Sequence, residues 1–386
     1  MDSYVRFLHC AGFRFDSLSW EGPEGWVAQR NQDLWQTFES LLSLCRSEKV
    51  DFLFLVGDLF EQAYVRKETV ERVTRSFAKL DRTRIFIVPG ETDPLVSTSA
   101  YRLAVWPSNV HIFSAGISSV KIPSLNVTVY GAGWTAYRQE ESFLDGFQAM
   151  NDGTLQFMLL HGEVNSVKNT KGYIPILEEQ IASSGLTYLA LGHQEVWSGI
   201  QKAGETFWAD CGLPEARSFR ESGPHGVILG EIKKESVQFK FWEIGKRRYF
   251  EKTLLVQLDM AGMTAQLLTE TSPEERQKDM FRIKLSGNFH ESEVEVQLFQ
   301  KFLMEEFRFV EVIPDEGRST FSPDVVPSAE TRVSNQDGFP TLAQVFVDKI
   351  KEQLLLAKSS ETYEHWELVR KIGLAALGQG RDDDED

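Results

Sequence analysis

The chain has 386 residues, of which 42% are hydrophobic, and a formal net charge of −16. At roughly 100–200 residues per domain this length predicts two or three domains, and the acidic balance excludes a nucleic-acid binder that relies on overall basic charge. Three cysteines without a CxxC pair, no apolar leader and no run of membrane-span length lead us to expect a reduced, cytoplasmic protein without a membrane partner.

The first two-thirds of the chain, residues 1–246, alternate apolar runs with segments of helical spacing, which predicts an α/β domain. The near-continuous apolar runs are typical of strands that are buried on both faces. Strands are predicted at 5–11, 51–60, 84–93, 109–113, 119–122, 126–134, 156–164, 188–192, 205–212, 225–232 and 236–244. Helices are predicted at 66–80, at 175–185 and around the apolar stripe of Leu34, Phe38, Leu41, Leu42 and Cys45.

A second, small α+β domain is predicted over 247–314, with the order strand, strand, helix, strand. Residues 315–340 are rich in Pro, Ser and Asp and are predicted to be a linker. Two amphipathic helices are predicted within 341–378, and they either pack on their own domain or bind a partner. Residues 379–386 form an acidic tail.

Polar side chains follow the predicted buried strands. Because ligand sites of α/β sheets lie outside the carboxyl ends of the strands, these residues together predict a site, although each alone is equally a turn or capping group. His193 and Glu195 are alternate residues after one strand, so we expect them to point into the same space. The residues are Asp58, Glu91, Asp93, His161, His193 and Glu195.

These strand-end loops read HCAGFRFD (9–16), GDLF (57–60), GETD (90–93), LHGE (160–163) and GHQE (192–195). The series resembles the D-x-H, G-D, G-N-H-D, H-G and G-H-x-H motifs of the calcineurin-like metallophosphoesterases, in particular the SbcD/YhaO type of DNA-repair exonuclease subunit. The resemblance implies a four-layer α-β-β-α sandwich, followed by an α+β capping domain and C-terminal helices. It also implies two divalent metals, typically manganese, which clamp the attacking and leaving oxygens of a displacement.

At the positions that hold the first metal in the family, this sequence has residues that differ from the family's ligands. The Asp and His of D-x-H correspond to Gly12 and Arg14, and the second His of G-H-x-H corresponds to Glu195. Only the bridging aspartate, Asp58, is present. Glycine offers no ligand and arginine is a permanent cation, so we expect Arg14 to replace the metal and to pair with Asp58 and Glu195.

The resemblance places the second metal on four residues that are all competent ligands. A site with two histidines and two carboxylates suits one Mn, Fe or Zn ion. The alternative is a metal-free polar cluster in which the histidines bond to carboxylates. The residues are Asp58, Glu91, His161 and His193.

The catalytic histidine of the family corresponds to Thr92, whose hydroxyl is not a general acid near neutral pH. No catalytic residue is therefore assigned, although Arg14 remains a candidate phosphate contact. Asp93 is expected to orient its neighbours. Asp16, two residues beyond Arg14, is a candidate substitute carboxylate at the edge of the site.

Two functions follow from these residues. In the first, the chain is an SbcD/YhaO-like subunit with impaired or no catalysis, which acts as a DNA-binding or scaffold subunit beside an SMC-like ATPase of the SbcC/YhaN type. The alternative is an active one-metal phosphodiesterase or exonuclease that uses Asp58, Glu91, His161 and His193. The resemblance also implies that the chain could form a homodimer.

Overall fold

The computed structural model describes residues 4–139, 141–164, 175–233, 236–256, 260–286 and 293–314, together with residues 349, 350, 366 and 369. Contacts divide the chain into two units, 1–318 and 319–386, and every element below lies in the first. The predicted linker and acidic tail lie outside the described residues, as does nearly all of the predicted C-terminal helical segment. Among the described residues, no helix is long and apolar enough to span a bilayer.

The first sheet has six strands and is parallel at its centre. Its central strand Phe52–Val56 is apolar and buried throughout because helices cover one face of the sheet and a second sheet covers the other. The parallel strands are β1 (Val5–Cys10), β2 (Phe52–Val56), β3 (Arg84–Val88) and β4 (Val110–Ile112). The antiparallel strands β13 (Gly226–Lys233) and β14 (Ser236–Glu243) give the order β14-β13-β1-β2-β3-β4.

The second sheet also has six strands. Its parallel strands are β6 (Val127–Ala132), β7 (Leu155–His161), β10 (Tyr188–Gly192) and β12 (Thr206–Asp210). Antiparallel edge strands β5 (Ser118–Ile122) and β11 (Gln201–Ala203) give the order β11-β12-β10-β7-β6-β5. The short strands β8 (Glu163–Val164) and β9 (Pro175–Ile176) pair with each other.

The two sheets face each other across an aromatic core. The ring of Phe7 in the first sheet lies 5.4 Å from that of Phe157 and 5.0 Å from that of Tyr188 in the second. Helices α1 (Val27–Ser47), α2 (Lys67–Phe77) and α3 (Ala100–Leu103) cover the first sheet, and α4 (Glu178–Ser183) packs on the second. Short 3-10 turns lie at Glu24–Trp26 and Pro123–Leu125. The predicted four-layer α-β-β-α sandwich is confirmed.

The small domain is built on three parallel strands, β15 (Tyr249–Leu255), β16 (Met280–Ser286) and β17 (Phe309–Pro314). The predicted order is wrong between the first two strands, where α5 (Met260–Glu270) and α6 (Pro273–Lys278) intervene; α7 (Glu293–Leu303) precedes the last strand. The physical reason is that parallel neighbours require a crossover connection, usually a helix. Met263 and Leu267, four residues apart, are buried positions of α5.

Buried ion pairs join the small domain to the sandwich. Arg30 on α1 donates to Asp33 at 2.9 Å and to Glu215 at 2.8 Å, and all three side chains are buried. Arg247, just before β15, bonds to Asp33 at 2.6 Å, and its backbone N–H donates to Glu215. A single carboxylate, Glu215, therefore fixes both α1 and the chain segment that enters the small domain.

Candidate metal centre

The candidate site lies where strands of both sheets end. Asp58 follows β2, Glu91 follows β3, His161 ends β7 and His193 follows β10. The sheets approach closely here because Gly57 has no side chain: a Cβ at this position would lie 2.1 Å from Nδ1 of His161. Gly57 also has a φ of 82°, which glycine adopts at little cost.

Three side chains at this edge form a compact group, which we call the ligand triad: Glu91, His161 and His193. One ligand atom from each lies within 4.8 Å of the others. His161 Nδ1 donates to the carbonyl of Val56 at 3.1 Å, so the lone pair of this ring lies on Nε2. That buried Nε2 has no hydrogen-bond partner among the described residues and lies 3.7 Å from Asp58 Oδ1.

Arg14 lies directly against the triad and Asp58. Its Nε and Nη2 donate to Asp58 Oδ2 at 3.1 and 2.8 Å, and Nη2 lies 3.5 Å from Glu91 Oε1. The backbone reinforces the contact, since Arg14 N–H donates to the carbonyl of Asp58 at 2.8 Å. Arg14 and Asp58 both have positive φ, 41° and 55°. Such strain is held only where the surroundings determine the backbone strongly.

The charges of the site follow from burial and from these pairs. Burial alone would raise the pKa of Asp58, but His161, Arg14 and the Thr92 N–H lower this pKa to about 2. Burial and the neighbouring Asp58 raise the pKa of Glu91. Burial and His161 lower the pKa of His193 to about 4. Asp58 is therefore an anion and His193 a neutral imidazole near pH 7.

The residues around Asp58 hold its loop in place. Asp93 accepts backbone N–H groups from Asp58, Leu59, Phe60 and Gly90 at 2.7–3.1 Å, and the hydroxyl of Tyr101 at 2.5 Å. Asp93 thus has the orienting position that the sequence predicted.

Thr92 also borders Asp58. Its N–H donates to Asp58 Oδ1 at 3.0 Å, but its hydroxyl donates to the carbonyl of Phe60 at 2.9 Å. The hydroxyl is therefore committed to the backbone, and no catalytic role follows for it.

The triad fits one divalent ion. The evidence is the buried Nε2 of His161, which lacks a partner among the described residues, because a buried polar atom without a partner costs free energy. Imidazole nitrogens and a carboxylate are ligands of Mn, Fe and Zn. A second ion does not fit: Gly12 has no ligand, Arg14 fills the space against Asp58, and a Cβ at Gly12 would lie 2.3 Å from Cδ2 of Leu213.

The predicted ion pair between Arg14 and Glu195 is wrong. Arg14 pairs with Asp58, as expected, but its second carboxylate is Glu91, and Glu195 is exposed. Strand β10 ends at Gly192, and His193 has a φ of 141°. The alternation of a strand therefore stops before Glu195, which turns away from the space that His193 faces.

Asp16 does not serve as a substitute carboxylate beside Arg14. It accepts the side chain and the backbone N–H of Arg66, at 2.7 and 2.9 Å. The carboxylate of Asp16 therefore binds Arg66 and is not a ligand beside Glu91, His161 and His193.

Two residues that border the site were given no role in it from the sequence, Trp134 and Arg217. Trp134 donates its indole N–H to the carbonyl of His161 at 2.8 Å. It follows the end of β6, and this position after a strand, which Asp58 and Glu91 share, could have indicated it from the sequence. Buried Arg217 donates to the carbonyls of Phe13 and Arg14 at 2.5 and 3.1 Å. No local sequence pattern shows the contact of Arg217 with the Phe13–Arg14 backbone, because these residues lie some 200 positions apart in sequence.

The chain is similar in sequence to a protein named as a metallophosphoesterase. No family model matches the chain. A Bacillus subtilis (strain 168) protein named uncharacterised metallophosphoesterase YhaO is 25% identical over 288 residues, which cover 71% of this chain and 69% of that protein.

Two solved structures are similar at low TM-scores. A dimetal phosphatase from Danio rerio has a TM-score of 0.39 and 8% identity, covering 62% of this chain and 96% of its own. The protein TT1561 of Thermus thermophilus has a TM-score of 0.38 and 12% identity, and the match covers 61% of this chain and 98% of TT1561. Because both TM-scores are below 0.5, neither structure supports an assignment of function. The sequence match, the four-layer sandwich and the order of the strand-end residues support a calcineurin-like metallophosphoesterase.

Proposed function

We propose that this chain is an SbcD/YhaO-type subunit of the DNA-repair nuclease family that does not perform two-metal hydrolysis. It acts instead as a DNA-binding or scaffold subunit in the cytoplasm, beside an SMC-like ATPase. The observation that carries the proposal is the pairing of Arg14 with Asp58, at 2.8 Å, in the place that the resemblance assigns to the first metal.

Charge and proton transfer both argue against two-metal catalysis. A guanidinium ~4 Å from a dication is repelled by about 8 kcal/mol at an effective dielectric near 20. Arg14 excludes a second ion chiefly because it occupies the place of that ion against Asp58. The same charge weakens an ion at the triad, since Glu91 Oε1 lies 3.5 Å from Arg14 Nη2. Thr92, with its hydroxyl on a backbone carbonyl, offers no general acid, a group that typically contributes about 10²–10⁴-fold in rate.

The proposed partners rest on the sequence resemblance. DNA and an SbcC/YhaN-type ATPase are the partners that this type of subunit implies, and the helices predicted within 341–378 are the proposed contact with the ATPase. A homodimer is proposed on the same ground. The helices proposed to contact the ATPase lie almost wholly outside the described residues.

The test is a DNA degradation assay with Mn²⁺, with and without ATP and an SMC-like ATPase that co-purifies with the chain. We expect no degradation, and DNA binding that weakens with salt. Manganese-dependent degradation that disappears in His161→Ala would contradict the proposal, because it would place hydrolysis in this site rather than in a contaminant.

A second candidate, a one-metal phosphodiesterase, is favoured by the compact ligand triad. A bound divalent ion would supply Lewis-acid polarisation of a phosphate oxygen. The triad and Asp58 would hold the ion, and Arg14 would stabilise charge on the phosphoryl group. Turnover of a chromogenic phosphodiester that depends on one bound metal would support it; protein purified without chelator that contains no transition metal and shows no turnover would remove it.

A further inference from the structure

The two peptide planes that flank His193 are held by different kinds of group. The φ of 141° at His193 is a conformation that non-glycine residues rarely adopt, so the surroundings must hold it. The plane before His193 is held by backbone alone, because the carbonyl of Gly192 accepts the N–H of Gly162 at 3.0 Å. The plane after it is held by a side chain, because the N–H of Gln194 donates to Asp210 Oδ2 at 2.9 Å.

Asp210 is itself fixed at the end of β12. The residue is 2% exposed, and its Oδ1 accepts the N–H of Gly212 at 3.0 Å. Its backbone N–H donates to Ser198 Oγ at 2.9 Å, and its carbonyl accepts the N–H of Ser198 at 3.1 Å. Burial raises the pKa of Asp210 to about 6, so the carboxylate is ionised in slightly alkaline solution. Both oxygens of this anion bind backbone N–H groups, so Asp210 acts on the chain rather than as a further ligand.

The orientation of these planes decides where the ring of His193 lies. The rotations φ and ψ of a residue relate its two flanking planes and fix the direction of its Cβ. The ring of His193 lies at 89° to that of His161, with centroids 5.5 Å apart, and its Nδ1 lies 3.8 Å from Glu91 Oε1. If the bond to Asp210 is lost, we expect the turn at His193 to relax to a conformation with negative φ. The ring would then leave Glu91 and His161.

We propose that Asp210 is a positioning residue for the ligand triad, which holds the strained turn at His193 and thereby keeps this ring in the triad. Asp93 has the corresponding place at the Asp58 loop, where it also accepts backbone N–H groups. The consequence for ion binding rests on the single-ion site proposed above. The position of the ring does not, because it is a property of the chain without an ion.

The experiment compares two variants and one control with the wild type. Asp210→Ala removes both acceptors, whereas Asp210→Asn keeps one oxygen but turns an NH₂ group towards the other backbone N–H. Asp51→Ala is the matched control, because Asp51 Oδ2 also accepts a backbone N–H, that of Arg6 at 2.9 Å, but lies before β2, at the end of the strand remote from the site. All four proteins are measured at about pH 8, where Asp210 is ionised.

The measurements separate the position of the ring from general stability. Nuclear Overhauser contacts between the rings of His161 and His193, in histidine-labelled protein without metal, report where the ring lies. Electron paramagnetic resonance gives the affinity for Mn²⁺, and urea unfolding gives the stability. In Asp210→Ala the ring contact should disappear and Mn²⁺ should bind about 10- to 100-fold more weakly, with smaller changes in Asp210→Asn. Asp51→Ala should be less stable than the wild type but keep the ring contact and the affinity for Mn²⁺.

Several results would overturn the inference: a wild type without the ring contact, a ring contact that persists in Asp210→Ala, or an unchanged affinity for Mn²⁺ when the contact is lost. Equal losses in Asp51→Ala would also overturn it, because they indicate a general loss of stability. If Asp210→Ala does not fold, the same measurements on Asp210→Asn decide. If the wild type binds no Mn²⁺, the single-ion site proposed above fails, while the ring contact still tests the role of Asp210.

Discussion

Asp58 accepts two hydrogen bonds from Arg14 on a single carboxylate oxygen, Oδ2, at 3.1 Å from Nε and 2.8 Å from Nη2. Its other oxygen accepts the N–H of Thr92 at 3.0 Å. Both oxygens of this buried carboxylate are thus engaged by the protein itself. These donors stabilise the anion and help to hold the strained backbone of Arg14 and Asp58 in place.

Restoring an aspartate at Gly12 should not restore a second metal. Gly12 has a φ of 71°, and a Cβ there would lie 2.3 Å from Cδ2 of buried Leu213. We expect Gly12→Asp to lower the free energy of unfolding by about 1–3 kcal/mol, through backbone strain and overpacking. Urea unfolding of Gly12→Asp, alone and with Leu213→Ala, measures this.

The double variant separates the two causes. Because Leu213→Ala removes the clash but not the strain, the cost of Gly12→Asp should be smaller in the Leu213→Ala background. An equal cost in both backgrounds would show that Leu213 does not occupy the space.

Asp93 should matter more for stability than any other polar residue that holds the Asp58 loop. Removing it in Asp93→Ala leaves four buried N–H groups without their acceptor, at about 1–3 kcal/mol for each unsatisfied group. Tyr101→Phe removes only one donor from the same carboxylate and should cost about 1 kcal/mol. Thermal or urea unfolding compares the two, and a Tyr101→Phe cost equal to that of Asp93→Ala would contradict this ranking.

The sequence predicts the edge of the sheets where the site lies, because the carboxyl ends of parallel strands meet there. It does not predict where Glu195 points, since the φ of 141° at His193 is a conformation that non-glycine residues rarely adopt. The contact of Arg217 with the Arg14 loop is equally hidden, because it depends on tertiary structure alone. Helix α5 was missed because a short apolar segment fits either a strand or a helix. Helix α6, PEERQK, was missed because it is short and has no apolar residue other than its first-position proline to set a helical period.

The buried network of Arg30 and Glu215 should show strong coupling. Arg30→Met leaves buried Glu215 without its cation and should cost about 3–5 kcal/mol. Glu215→Gln leaves Arg30 paired with Asp33 and should cost less, and the double variant should cost less than the sum of the two. The exposed pair of Lys67 and Glu71 is the control, with an expected coupling of at most about 0.5 kcal/mol. Additive costs for Arg30 and Glu215 would show that the pair does not act as a unit.

His9 should make the protein less stable in mild acid. Burial lowers the pKa of His9 to about 3, and the ring bonds as a neutral group, accepting from the Tyr188 hydroxyl and donating to the Leu191 carbonyl. Below the ordinary pKa of about 6.5, the unfolded chain binds a proton that the folded chain does not. This contribution is therefore complete above about pH 6.5 and is lost as the pH falls towards about 3.

Urea unfolding at about pH 7.5 and about pH 5 tests the sign. The wild type should lose about 2 kcal/mol more than His9→Gln between these two values. An NMR titration of the His9 ring gives a second measurement, with no protonation expected at about pH 5. Equal losses in the two proteins, or a ring that titrates near its ordinary pKa, would contradict the burial of a neutral His9.

The most direct test of a site with one ion and one arginine is a crystal structure with Mn²⁺, examined by anomalous scattering. The account predicts one manganese peak, at Glu91, His161 and His193, with Arg14 still on Asp58. Two manganese peaks that share Asp58, with Arg14 displaced from it, would contradict the central claim.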